Sequence, residues 1–213
     1  MSSLALSQRA NWELAANQGG AKLEDTVHAI LSSELASRFP DTYTVTKHPT
    51  TLRQLYYEND YIQNKDAYTK PAEPTASDVW YDATTKTFMA LRYGREVFAD
   101  GGGCIPDIEI RNNSTGKSYF IECKNQNDAG NAHERCAKYA TPSVIRAIQE
   151  KIGAAYHPIG YLFSGTLVNK RKYVIELELT YGFVRDHLLL WKVDRATEPL
   201  LLWLNRVILP LIA

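Results

Sequence analysis

The chain has 213 residues, 45 % of them hydrophobic and 23 % charged, a globular composition with enough apolar material to bury one medium-sized core. Its 24 basic and 24 acidic residues cancel. That balance excludes attraction to nucleic acid through net charge, so any such contact must come from a local basic surface. Cys104, Cys123 and Cys136 are too few and too irregularly spaced for a disulfide framework or a zinc ribbon, and a reducing, intracellular setting is expected.

The first residues, MSSLALSQRANWEL, have neither the basic start nor the apolar run of a secretory leader. Leu23, Val27, Ile30, Leu31 and Leu35 recur at helical spacing and Pro40 stops the run, which predicts a helix over about residues 20–39. The β-branched alternation of TYTVTK predicts a strand over Thr42–Lys47. From Leu52 to about Trp80 the chain turns polar and tyrosine-rich, with Pro71 and Pro74 near its end; it reads as a short helix and then a long surface segment. Gly101, Gly102 and Gly103 break the chain before two apolar runs, IPDIEIR and KSYFIECK. The NNSTG between them is turn chemistry, so the two runs predict an antiparallel hairpin.

Further on, Pro142–Ile152 reads as a helix with Val144, Ile145 and Ile148 on one side. IGYLFSG and KYVIELEL read as two more strands, separated by the basic TLVNKRK. The closing EPLLLWLNRVILPLIA is interrupted by Asn205, Arg206 and Pro210, too short and polar to span a bilayer. A buried terminal helix or a subunit contact accounts for it. This order of elements predicts an α/β domain over residues 1–213, with no repeat and no linker that would divide it.

The hairpin carries the chemistry. Side chains two apart on a strand share a face, so Glu122 and Lys124 point the same way while Cys123 faces away. Pairing across the NNSTG turn brings Asp107 beside Glu122. Two carboxylates that close repel unless something positive lies between them. A hard divalent cation such as Mg²⁺ meets that demand with Asp107, Glu122 and the Cys123 backbone carbonyl as ligands, and Lys124 adds a cation beside the pocket. Such a set suits phosphodiester hydrolysis. Taken alone, Asp-Glu-Lys at this spacing also describes ordinary solvated strand residues.

The residues that follow are NQNDAGNAHERCAKYATP. A P-D followed fifteen residues later by E-x-K, and then by G-N-A-H-E-R, resembles the EcoRI-like branch of the PD-(D/E)xK type II restriction endonucleases, and within it the MunI-type enzymes. The likeness extends to SQRANWELAA, to KHPTTLRQLY and to Tyr139-Ala140-Thr141-Pro142, and so runs through most of the chain. It implies the restriction-endonuclease core, a central mixed β-sheet flanked by helices. It further implies Asp107, Glu122 and Lys124 as catalytic residues, and Gly130, Asn131, Ala132, His133, Glu134 and Arg135, with Lys138, as the DNA-reading segment. Asn can bond both edge groups of adenine, Arg can grip guanine bidentately, and Glu can accept from an amino group. The resemblance also implies Mg²⁺, a palindromic site centred on AATT, 5′-phosphate ends, a homodimer, and a cognate methyltransferase in a prokaryotic cytoplasm. The interval from Lys124 to Gly130 is shorter than in MunI-type sequences, which leaves the outer base pair open.

Other readings stand beside this one. The same core occurs in structure-selective repair or junction nucleases, and a non-catalytic DNA-binding protein could retain the fold. Lys170, Arg171 and Lys172 suit backbone phosphates or a solvated hairpin tip equally well. Glu24 reads as a helix-surface acid that could instead reach the metal site from outside. His28 reads as a core-edge histidine and His157 as a turn residue before Pro158.

Overall fold

In the computed structural model, the residues described are 3–49, 51–52, 68–85, 87–99, 105–126, 139, 142–165, 175, 179, 185–192 and 196–213, with 3–18 described as backbone only. The chain falls into two compact units, one formed by Met1–Lys47 with Asp107–Ala213 and the other by His48–Pro106.

The larger unit starts with helix α1, Ser3–Arg38. It begins well before the predicted residue 20, because Gly19 and Gly20 sit inside the helix and do not break it. Helical glycine costs only about 1 kcal/mol, which a long packed helix absorbs. Leu23, Val27, Leu31 and Leu35 form one stripe and are all buried. They close over a five-stranded sheet of order β1-β5-β6-β7-β8. Its strands are β1 (Tyr43–Lys47), β5 (Ile108–Asn112), β6 (Ser118–Gln126), β7 (Ile159–Gly165) and β8 (Leu188–Leu190). The pairs β1/β5 and β5/β6 are antiparallel, whereas β6/β7 and β7/β8 are parallel, so the sheet is mixed.

Alternation sorts the sheet residues. Ile108, Ile110, Tyr119, Ile121, Cys123 and Leu162 join the α1 stripe in one core with the C-terminal helical run. That run, Glu198–Trp203, a π-helical turn at Leu204–Ile208, and Leu209–Ile212, is the buried terminal helix that the sequence predicts. The π turn sits just ahead of Pro210, whose ring and missing N–H disfavour an ordinary α-helical turn there. The hairpin turn in turn clasps the C-terminus. Asn112 Nδ2 donates to the Ile212 carbonyl at 2.9 Å and Lys117 Nζ to the Ala213 oxygen at 2.7 Å. Helix α2, Pro142–Ile152, has the predicted bounds and buries Val144, Ala147 and Ile148.

Two expectations change. Ile175 and Leu179, the described members of the KYVIELEL strand, are helical and exposed. Glu and Leu are good helix formers, and alternation over so short a run does not bind them to a sheet. The fifth strand is instead Leu188–Leu190, an apolar triplet with no alternation to reveal it.

The smaller unit holds β2 (Val79–Asp82), β3 (Thr87–Arg92) and β4 (Arg95–Phe98) in an antiparallel meander. Trp80 and Phe88 are buried in it, with Tyr68 set edge-on to Phe88 at 5.0 Å. Lys70 lies over the Trp80 ring at 5.3 Å and bonds Glu96 at 2.7 Å.

Two measurements test this packing. A Cβ on Gly160 would meet Tyr119 Oη at 2.5 Å and Trp203 Cζ2 at 2.6 Å. Both rings are buried, so Gly160→Ala should cost about 1–3 kcal/mol in urea unfolding, as overpacked cores do. His187 is buried with its ring 4.4 Å from that of His157, and its Nδ1 lies 2.6 Å from Tyr119 Oη. Burial first, and His157 second, hold its pKa down at about 4. The unfolded chain therefore takes up the proton first as pH falls. Stability is full above the ordinary histidine value of 6.5 and declines toward pH 4. Melting curves across that window should show the decline, and His187→Gln should flatten it.

Candidate active site

The site grows out of the β5/β6 register. Ile108 stands opposite Ile121, so the next position places Asp107, at the bend before β5, beside Glu122. Asp107 Oδ2 accepts the Cys123 N–H at 2.6 Å, so a side chain extends the ladder where the strand's own backbone has ended. Glu122 and Lys124 share a face, as predicted, and Lys124 Nζ donates to Glu122 Oε1 at 2.6 Å. The same ammonium lies 3.9 Å from Asp107 Oδ2. Side-chain exposures of 14 % for Asp107, 4 % for Glu122 and 22 % for Lys124 put the ammonium on the open side and the acids beneath it.

Asp107 and Glu122 both lie beside the Lys124 ammonium, and a Glu24 carboxylate oxygen from α1 lies within 4.8 Å of one from Asp107. Glu24 is thus turned toward the site, the less favoured of its two sequence readings. Its neighbour Asp25 is held by the Lys47 ammonium from the end of β1. That hydrogen bond is the main cause of a raised Lys47 pKa, with Glu24 and Asp107 adding to it. Neither Asp25 nor Lys47 stood out in the sequence. Their place follows from β1 lying against β5, with Lys47 opposite Ile108, and no local pattern encodes that contact.

Cys123 behaves as the alternation requires. Its side chain is buried in the core, and burial, followed by the fields of Asp107, Glu122 and Glu24, pushes its thiol well above the usual range. It stays a neutral packing residue rather than a thiolate ligand. Asp107, Glu122 and Glu24 offer carboxylate oxygens, hard ligands whose chemistry fits a divalent cation of the Mg²⁺ type.

The sheet continues the same face away from the site. Glu122 stands opposite Tyr161 and Lys124 opposite Phe163, both buried. The charged cluster therefore sits on an apolar floor, where the interaction of its charges is screened less than at an open surface. His28 is a core-edge residue as predicted, with Nε2 3.3 Å from the Val45 carbonyl oxygen. Gly130, Asn131, Ala132, His133, Glu134, Arg135 and Lys138 lie outside the described residues, as do Cys104, Cys136 and the basic run Lys170–Lys172.

The family described as "Type II restriction enzyme MunI" matches residues 65–213. The MunI enzyme of a Mycoplasma species is 24 % identical over 213 residues, covering 94 % of each chain. A crystal structure of MunI restriction endonuclease in complex with cognate DNA shares the fold, with a TM-score of 0.59 at 20 % identity, over 89 % of this chain and 96 % of that one. With a family match that spans well over half of its length, the chain belongs to the MunI family of type II restriction enzymes.

Proposed function

We propose that Asp107, Glu122 and Lys124 form the catalytic centre with which this restriction enzyme hydrolyses double-stranded DNA, using Mg²⁺. The observation that carries the reading is the Lys124 ammonium, set 2.6 Å from the buried Glu122 carboxylate and 3.9 Å from that of half-buried Asp107. Asp107, Glu122 and the Cys123 carbonyl would hold the cation. When bound, it supplies Lewis-acid polarisation of the phosphate and a water of lowered pKa. Asp107 is fixed by the Cys123 N–H. Glu122 is oriented by Lys124, whose ammonium is placed to orient a water or to offset the negative charge that builds on the phosphate.

Sequence reading falls to Gly130, Asn131, Ala132, His133, Glu134, Arg135 and Lys138, whose edge chemistry suits adenine and guanine in a major groove. The site is a short palindrome centred on AATT, cut to leave 5′-phosphate ends. A palindrome calls for two identical reading heads, and so for a C2 homodimer. Self-protection requires a methyltransferase of the same specificity in the same prokaryotic cytoplasm. No helix among the described residues is long and apolar enough to cross a membrane.

Digestion of a long DNA of known sequence tests the reading. Discrete fragments whose ends share one AATT-centred site support it. Nicks confined to junctions or flaps would point to a structure-selective nuclease, and no scission would point to a binding protein. Glu122→Ala and Lys124→Ala should each slow cleavage by at least about a hundredfold while DNA affinity without metal changes little. A calorimetric titration should detect Mn²⁺ binding to the metal-free protein and lose most of it in Glu122→Gln. Equal binding by that variant would remove Glu122 from the ligand set.

A further inference from the structure

The turn between β3 and β4 reads Arg92-Tyr93-Gly94-Arg95, and its sequence conflicts with its shape. Arg92 and Arg95 are directly opposite each other across the strand pair, so both guanidinium groups rise from one face at the tip, a like-charge placement that disfavours the hairpin. The two-residue loop has positive φ at both positions, 52° at Tyr93 and 72° at Gly94. Asn-Gly or Asp-Gly is the usual solution for such a turn, because a bulky side chain is strained in the left-handed region. Here the strained position carries a tyrosine, and it is completely exposed, at 102 %.

Neighbouring charges leave the tip basic. Glu96, the adjacent acid, is bound to Lys70 at 2.7 Å. Among the described residues, no acidic side chain pairs with Arg92 or Arg95. A hairpin that served only to connect two strands would gain from an asparagine at 93 and an acid at 92 or 95. These residues give up that stability to project two planar cations and an aromatic ring into solvent. Two guanidinium forks match successive phosphate groups. A tyrosine between them can pack on the sugar and donate its hydroxyl to a phosphate oxygen.

We infer that the Arg92–Arg95 tip is a DNA-backbone contact, separate from the base-reading segment, in which Arg92 and Arg95 each neutralise one phosphate and Tyr93 packs between them. The inference rests on the DNA-cleaving reading above and adds a surface to it. A tip of this kind adds affinity without sequence preference. It would hold the enzyme on any duplex and leave discrimination to residues 130–138.

The test is fluorescence anisotropy with labelled duplexes, one containing AATT and one without it, in EDTA across a salt series. Arg92→Gln/Arg95→Gln should weaken binding to both duplexes alike. Its log–log salt dependence should be shallower by about 1.8, two phosphates at roughly 0.9 each. Tyr93→Asn should bind DNA less tightly while melting at the same temperature as the parent or higher, since asparagine suits the backbone better. That combination separates lost contact from lost fold. An unchanged salt slope in the double variant, or full affinity in Tyr93→Asn, would overturn the inference while leaving the nuclease reading intact. Failure of the parent protein to bind either duplex would overturn both.

Discussion

The register of β5 against β6 is the constraint on which the rest depends. With Ile108 opposite Ile121, the apolar residues of both strands enter the core and Asp107 arrives beside Glu122. A slip of one residue would turn the apolar set to the other face and scatter the acids. The register is held from both ends. At the closed end, Asn112 Oδ1 accepts the N–H groups of Ser114 and Thr115, and Gly116 takes the positive φ that completes the turn. At the open end, Asp107 is bonded to the Cys123 backbone. The residue proposed to bind metal is therefore also a piece of the strand pairing, and its placement comes with the fold.

Helix α1 and the C-terminal run support that hairpin from one side. The α1 stripe lies on the strands that carry the cluster, and the same packing sets Glu24 against Asp107. The C-terminal run joins the core through Leu200, Leu204, Ile208 and Ile212, and it is tied to the hairpin turn by Asn112 and to α1 by Arg38, which donates to Asn205 at 2.7 Å. Buried like charges are costly without compensation. The packed surround holds Asp107 and Glu122 together at the mouth of the hairpin.

Much of this was legible from residues alone where the signal was local. The α1 stripe, the hairpin with its NNSTG turn, the helix from Pro142 and the strand from Ile159 each carry their own periodicity and punctuation, and they stand where the sequence predicts. Convergence of Asp107, Glu122 and Lys124 was legible because alternation and one turn suffice to derive it. What escaped needed contacts distant in sequence. The β2-β3-β4 meander has short strands of mixed character, VWYD, TFMALR and REVF, none with a clean alternation. Strand β8 is three leucines, defined by its partner β7 and not by any pattern of its own. KYVIELEL misled because alternation of Glu and Leu mimics a strand in residues that favour helix. Lys47, Asp25 and Glu24 join the site through packing between α1, β1 and β5.

The central claim is that a divalent cation sits between Asp107 and Glu122 beside Lys124, at the mouth of one hairpin. The most direct measurement is anomalous diffraction from crystals of the protein–duplex complex soaked in Mn²⁺. The account predicts a peak bridging the two carboxylates with a DNA phosphate oxygen completing the shell. A Mn²⁺ peak bound elsewhere on the protein, with the duplex in place and the two acids turned away from it, would contradict the account.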